Sequence, residues 1–415
     1  MSKFKLFLYY SFSFAIMIVP TVIILIFIKI FSRILLVRLG SLPSDRIGHL
    51  SIDIELYLCK LKNNKLKKKI KDFFFIPNNK QVSNYFLIDI WSEQINIIQK
   101  FFVFPLWFFM NTKILKYLYK DHILDHRSKN FPHFDNEYLI PTSKQNIILK
   151  KSDENECYNL LKKNNINTDK KFVCLHVRDN LYLKKKYPLK DYSYHDYRDF
   201  EINDFKKLCD FFEDKGFLIF RMGNASLKKI EFANNNIIDY SNSSFLSDKM
   251  DVFLISKCSI FIGAESGLLS LAQCFRKPLL NILGKPLVPA THYNTLYSFK
   301  NLHKLSNNKP LSLKEIISKD LYNVNDTKTL QAKGVYFKDL TENEIFECGV
   351  DIYQFYMNKC NLDKKEIKKQ KDFYDNFLKE AKKKEFDPKY VVHHNGKYLS
   401  YIAPSFLNNY PILTN

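Results

Sequence analysis

Short apolar runs that stop abruptly at polar or glycine residues mark out the middle of this chain. Phe172–Val177, Phe217–Phe220, Asn236–Ile238, Ser259–Ile262 and Leu279–Leu283 are such runs. Runs of this length, rich in Val, Ile and Phe, predict strands buried on both faces of a parallel sheet. Between them lie stretches with helical periodicity: about Ile202–Asp214 with Gly216 as its stop, about Lys249–Lys257, and Leu268–Phe275. Asp248 heads the second, and Asp251 follows three residues on, a capping-box-like pair. Regular alternation of strand and helix predicts a parallel, doubly wound sheet.

The region before it repeats the theme more faintly. Residues 34 to about 165 open on a strand at Ile34–Val37 and turn through Gly40, Pro43 and Gly48. A helix through Ile52–Leu58 follows, which Ser44 or Asp45 can cap. Ser152 to Lys170 is polar and rich in Asn and Lys, and reads as a helix plus linker. Past residue 305 the pattern weakens. Asp363 to Lys384 reads as an exposed charged helix, and the tail from Tyr398 to Leu413 is apolar enough to pack back on a domain. The chain therefore divides into a hydrophobic anchor (1–33), a first α/β domain (34–165), a second (166–305) and a C-terminal helical extension (306–415).

The run from Leu6 to Ile28 contains no charge and is long enough to span a bilayer. No small-residue cleavage site follows it, so it does not read as a secretory signal. Lys29, Arg33, Arg38 and Arg46 outnumber Lys3 and Lys5 on the other side, which puts the bulk of the protein in the cytoplasm by the positive-inside rule. A hydrophobic helix docked on the protein itself is the alternative. Phe101 to Met110 is apolar but too short to span. It reads either as a core helix broken at Pro105 or as an interfacial segment flanked by Lys100 and Lys113. The Lys-rich stretch Lys60 to Lys71 reads as a solvated face or a contact for anionic lipid.

The net charge of +21 favours acidic partners such as nucleotides, anionic glycans or phospholipid surfaces, although a Lys-, Asn- and Ile-rich composition also follows from an AT-rich genome. No zinc finger, RNA-recognition or helix-turn-helix pattern supports nucleic acid. The eight cysteines show no C-x-x-C or Cys/His ligand spacing, so neither a zinc site nor a disulfide framework is expected.

Candidate chemistry sits where the strands end. His176-Val177-Arg178-Asp179 closes one run, with Tyr182 after it. Gly263-Ala264-Glu265-Ser266-Gly267-Leu268 closes another and opens a helix. Between them come Tyr197-Arg198, Arg221-Met222-Gly223 and Ile238-Asp239-Tyr240. This ordered set resembles a family of bacterial glycosyltransferases of surface-polysaccharide synthesis. More distantly it is similar to fucosyltransferases of the GT-B fold, whose His-x-Arg phrase sets an Arg at the donor diphosphate. The resemblance covers roughly residues 171 to 290. It implies two Rossmann-like domains facing a cleft. It also implies hexosyl or deoxyhexosyl transfer from a nucleotide sugar to a lipid-linked or growing glycan at the inner membrane, with no cofactor.

Glycosyl transfer needs charge stabilisation on the leaving diphosphate and, for an inverting reaction, a base for the acceptor hydroxyl. Arg178 is the expected diphosphate ligand, since a guanidinium binds phosphate oxygens through two parallel bonds. An ion pair to Asp179 or to a sheet-edge partner is the structural alternative. His176 shares the strand face of Arg178, and Asp179 is a weak base candidate. On the donor side stand Arg221, Gly223, Asp239, Tyr240, Glu265, Ser266, Gly267 and Leu268, the last three opening a helix whose N-terminus suits an anion. Arg46, Gly48 and His49, with Tyr182 and Arg198, are acceptor-side candidates. The Asp-x-Asp pair of metal-dependent transferases is missing; Asp53 and Glu55, as Asp-Ile-Glu, are its loosest echo, so no metal is expected. The P-loop signature is absent as well. Other readings are another nucleotide-using α/β enzyme, or a non-catalytic basic membrane-bound glycan-binding protein.

Overall fold

The computed structural model describes residues 18–63, 69–124, 131–132, 135, 137–178, 197–223, 229–264, 266–283, 293–321, 324, 326–383 and 400–414. Asp179, Tyr182 and Glu265 lie outside these residues, as do Leu6 to Met17 of the apolar run. The chain forms two compact units, residues 1–135 with 146–148, and residues 136–145 with 149–415.

The first unit is built on a four-stranded parallel sheet: β1 (Leu35–Ser41), β2 (Lys69–Phe75), β3 (Asn96–Ile97) and β4 (Ile123–Leu124), in the order β3-β2-β1-β4. The register of β1 against β2 sets Arg38 opposite Asp72. Their side chains close a two-bond ion pair, Nε to Oδ1 at 2.7 Å and Nη2 to Oδ2 at 2.6 Å, and the Tyr57 hydroxyl donates to the same carboxylate. A one-residue slip would leave both charges buried and unpaired, so the pair specifies register. Arg38 is thus a buried structural cation rather than one of the surface charges used to orient the chain.

Helix Ile47–Asn63 follows β1 and is buried on all sides from Leu50 to Cys59, including the charged Asp53 and Glu55. The Glu55 carboxylate accepts the Asn146 backbone N–H at 3.1 and 3.2 Å. Asp53 and Glu55 are therefore interior partners and do not form a metal pair. Helix Lys100–Met110 runs through Pro105 without breaking, contrary to one sequence expectation, and packs Val103, Pro105 and Met110 inward. Residues 18–30 are helical and lie on the same small core through Leu25 and Ile28. Among the described residues no helix is long and apolar enough to cross a membrane.

The second unit carries a seven-stranded parallel sheet. Its strands are β5 (Phe172–His176), β6 (Leu218–Arg221), β7 (Ile237–Ile238), β8 (Ile260–Ala264), β9 (Leu279–Leu283), β10 (Thr295–Phe299) and β13 (Ser400–Ile402), while β11 (Asn301–Lys304) and β12 (Val335–Lys338) form a separate antiparallel pair. The order β13-β10-β9-β8-β5-β6-β7 means that the chain winds outward from β5 to β7 and then resumes on the other side of β5 with β8. That is the Rossmann order with one added edge strand.

Two boundaries differ from the sequence expectation. Helix Lys151–Lys163 belongs to the second unit, tied to helix Asp248–Lys257 by Lys249 to Asp153 at 3.1 Å and Lys257 to Glu154 at 2.5 Å. Residues 306–415 are no separate extension. They supply β13 to the main sheet, and Ile352, Phe373 and Phe406 to its core. Helix Asp248–Lys257 is capped by Ser247, whose hydroxyl accepts the Met250 N–H at 3.2 Å, and not by Asp248.

Candidate active site

In a doubly wound sheet, the strands on either side of the reversal diverge in their outgoing loops, and a crevice opens beyond their carboxyl ends. Here those strands are β5 and β8. The two densest motifs of the sequence leave from them: His176-Val177-Arg178 from β5 and Ser266-Gly267 from β8.

The close approach of β5 and β8 depends on Gly263. In register it sits beside His176, and a Cβ there would lie 2.7 Å from the His176 carbonyl oxygen and 3.1 Å from the His176 Cβ. The row continues to Asn281 on β9. Parallel strands in register turn such residues to one face, so His176 and Asn281 flank a position with no side chain. Asn281 is 4 % exposed, and among the described residues its side-chain oxygen has no hydrogen-bond partner. A buried acceptor without a donor is costly in a finished interior.

Helix Gly267–Cys274 leaves this row. Ser266 caps it, its hydroxyl accepting the Leu269 N–H at 3.4 Å. The N–H groups of a helix's first turn have no carbonyl behind them, and the helix dipole adds positive potential there. Gly267 brings its N–H up without a side chain in the way. The Leu268 side chain is buried in the core, so that residue contributes backbone only.

Arg178 stands at the other lip, its side chain 15 % exposed, with Nε 3.4 Å from Asp199 Oδ1. Asp199 is thus one partner of Arg178 among the described residues. Asp199 also accepts Lys300 Nζ on its carbonyl at 2.6 Å. Lys300 follows β10, three strand positions from β5, or about 14 Å at the usual strand spacing. Residues 199 and 200 thus lie at the carboxyl end of β5, where the Phe200 N–H donates to the Arg178 carbonyl at 3.1 Å and the Lys300 side chain reaches them from β10. Lys300 is buried, lies 4.2 Å above the Phe200 ring and pairs with Asp339 at 2.5 Å. Arg198 rests on the Tyr197 ring, with Nε donating to the Tyr197 hydroxyl at 3.2 Å.

Several expected donor contacts prove to be structural. Arg221 is only 2 % exposed and directs Nη1 to Asp239 Oδ1 at 3.4 Å. Asp239 spends both oxygens inside the fold, accepting Ser241 Oγ at 2.8 Å on one, and Asn242 Nδ2 at 2.8 Å and the Ile230 N–H at 3.2 Å on the other. It shapes the turn after β7 and has no oxygen left over for a ribose. Tyr240 is fully buried, and its hydroxyl donates to Asp251 at 2.8 Å. Burial, with the Asp251 charge beside it, pushes that hydroxyl far above the usual tyrosine range. Burial likewise raises the Asp251 carboxyl to about 7, against the stabilising Tyr240 hydroxyl. Gly223 ends β6 with φ of 137°, a conformation that glycine adopts readily.

In the first unit the order β3-β2-β1-β4 places a reversal between β1 and β4, and the loop leaving β1 carries Arg46, exposed, and then Gly48 and His49 in the first turn of the helix. His49 Nδ1 lies 3.3 Å from the Oδ2 of buried Asp53.

Asn281, Asp199 and Lys300 were not singled out by sequence reasoning. Asn281 had a signal, since it is the one polar residue in Leu-Leu-Asn-Ile-Leu. The others depend on pairings across the fold. Among the described residues no group of three His, Cys, Asp or Glu stands close enough to hold a metal ion.

No protein-family model matches the chain, and no curated protein sequence matches it. Solved structures similar to it include E. coli ADP-heptose lipopolysaccharide heptosyltransferase II, at 12 % identity and a TM-score of 0.38 over 63 % of this chain and 90 % of that one. A glycosyl transferase family 9 protein from Veillonella parvula DSM 2008 matches at 9 % identity and a TM-score of 0.42, covering 78 % and 97 %. E. coli heptosyltransferase WaaC with ADP-2-deoxy-2-fluoro heptose matches at 11 % identity and a TM-score of 0.31, covering 63 % and 93 %. Likenesses of this size carry no argument about the reaction, which has to be read from the residues themselves.

Proposed function

We propose that the protein is a glycosyltransferase that takes a nucleoside-diphosphate sugar as donor at the carboxyl edge of β5 and β8. The observation that carries this reading is the convergence, on the two strands flanking the reversal, of Arg178 with the Ser266-Gly267 helix start. Both favour an anion, and both lie where this topology opens a crevice. Arg178 and the first-turn N–H groups hold the diphosphate and stabilise the charge that grows on it as the bond to the sugar's anomeric carbon breaks. The Asn281 oxygen accepts a donor group of the ligand, with His176 across the Gly263 position from it.

An acceptor hydroxyl forms the new bond to the anomeric carbon, its proton is taken up, and the nucleoside diphosphate departs. Cationic side chains and helix N–H groups do here what a divalent ion does elsewhere, so the reaction is expected to be metal-independent. The acceptor class, a lipid-linked or growing surface glycan at the cytoplasmic side of the inner membrane, rests on the sequence resemblance.

The direct test is a thermal-shift screen of the full chain with UDP, GDP, ADP, CMP and their sugar derivatives. A ligand at 100 times its dissociation constant stabilises by about 2.7 kcal/mol. One nucleotide diphosphate should raise the melting temperature in the wild type and much less in Arg178→Ala. A screen in which none does would sink the donor assignment.

A further inference from the structure

We infer that the outer face of residues 18–34, helix Lys100–Met110 and helix Leu115–Leu118 in the first unit docks into the headgroup region of an anionic lipid bilayer. The three segments share one small core. Leu25, Val103, Met110 and Tyr119 meet in it, and the Tyr119 hydroxyl donates to the Leu25 carbonyl at 3.0 Å. With their inner sides fixed by that core, their outer sides are still apolar.

Residues 18–30 turn Thr21, Leu25 and Ile28 inward, a stripe of helical spacing. Around it Val19, Ile23, Ile26, Phe27 and Ile30 are each about half exposed or more, and Phe31 and Ile34 continue the surface. Helix Lys100–Met110 adds Phe101 and Phe102. Ile114 and Tyr117 beyond it are 86 % and 82 % exposed. At about 150–250 Å² for a large side chain, the exposed apolar area is on the order of 1,500 Å², against roughly 300–600 Å² for the largest patch of an ordinary monomer. By contrast, the large hydrophobics exposed among the described residues of the second unit are Leu305, Met357 and Ile367, scattered singly. The apolar surface is thus a local feature of three adjoining segments.

Charge identifies the occupant. Arg33, Lys113, Lys116 and Lys120 are exposed on these segments or at their borders, and the one acidic residue from 18 to 34 or from 100 to 122 is Asp121. Aromatic and aliphatic side chains bordered by lysines match a headgroup layer, where long cationic side chains reach phosphates while rings enter the acyl boundary. A second copy of the chain would set the same cations against one another, which disfavours a symmetric dimer on this face. Residues 18–30 spend their inner stripe on the protein's own core, which fits a helix lying in the interface.

The experiment is flotation of the full-length protein with vesicles of phosphatidylcholine alone, or mixed with phosphatidylglycerol, at low and high salt. The wild type should float with anionic vesicles, more weakly with neutral ones, and less at high salt. The triple variant Lys113→Glu, Lys116→Glu, Lys120→Glu should lose on the order of 100-fold in affinity for anionic vesicles. Phe101→Ser, Phe102→Ser, Ile114→Ser together should lose about tenfold or more on both kinds. All these side chains are exposed, so circular dichroism spectra and melting temperatures should match the wild type. Three results would overturn the inference: no flotation with any vesicle; equal flotation of the lysine variant and the wild type at any salt, as a spanning helix would give; or a lipid-free dimer that the Phe101/Phe102/Ile114 variant dissociates. The readout is lipid binding alone, so its failure is separable from failure of nucleotide binding.

Discussion

Arg178→Ala separates a ligand-binding arginine from a structural one. The side chain is part-buried, and its Nε contact to Asp199 is 3.4 Å long. Such a pair, with solvent still reaching both partners, is worth about 1 kcal/mol or less. A guanidinium bonded to a diphosphate is a charge-assisted contact worth about 1.5–3 kcal/mol. At 1.36 kcal/mol per decade that is roughly a 10- to 150-fold loss of nucleotide affinity. Asp199→Asn removes the same ion pair but keeps the arginine, and it leaves the backbone carbonyl that holds Lys300 in place. The expected pattern is a small and similar loss of stability in both variants, with the affinity loss confined to Arg178→Ala. Titration calorimetry at fixed salt, alongside thermal melts, reads both quantities. If Arg178→Ala binds the nucleotide within twofold of the wild type, Arg178 is not a donor ligand. If the two variants lose affinity equally, it acts only through Asp199.

Gly263→Ala should destabilise by about 1–3 kcal/mol, because its Cβ would press on backbone and Cβ atoms of His176 that cannot move cheaply. It should also weaken nucleotide binding by displacing that strand end, and a wild-type melting temperature would contradict the packing. The Asp251 carboxyl, raised by burial from 3.8 to about 7, holds a proton in the folded state that the unfolded chain has released. Its contribution to stability is therefore full below 3.8 and is lost as pH rises through about 7. Asp251→Asn should flatten that part of the stability–pH curve, by an amount on the order of a few kcal/mol; an unchanged slope in denaturant melts would refute the assignment. Transfer activity should survive EDTA, since the groups assembled at the crevice are cationic; a strict, reversible need for Mn²⁺ or Mg²⁺ would overturn the proposed diphosphate site.

The apolar runs and their spacing determined five of the seven strands of the second unit's parallel sheet, β5 to β9, and missed β10 and β13. A strand buried on both faces is mostly apolar, and that constraint is written locally. The end of β5 before Arg178 and the helix start at Ser266 were legible for the same reason, since a strand's end and a helix's beginning are marked by residues next to one another in the chain. Tertiary structure alone decided which strands became neighbours. It set β5 beside β8, made that pair the site of the reversal, and brought β13 back from residues 400–402 to the sheet edge. It also separated ligand candidates from structural ones. Arg221, Asp239 and Tyr240 follow strands just as Arg178 does, and nothing local distinguishes them. Their partners, Asp239 for Arg221 and Asp251 for Tyr240, are fixed only when the helices pack and close off solvent. The run from Leu6 to Ile28 read as a spanning anchor because hydropathy counts residues and not faces. Only folding showed that the stripe of Thr21, Leu25 and Ile28 is spent on the protein's own core, while the other sides of that helix remain exposed.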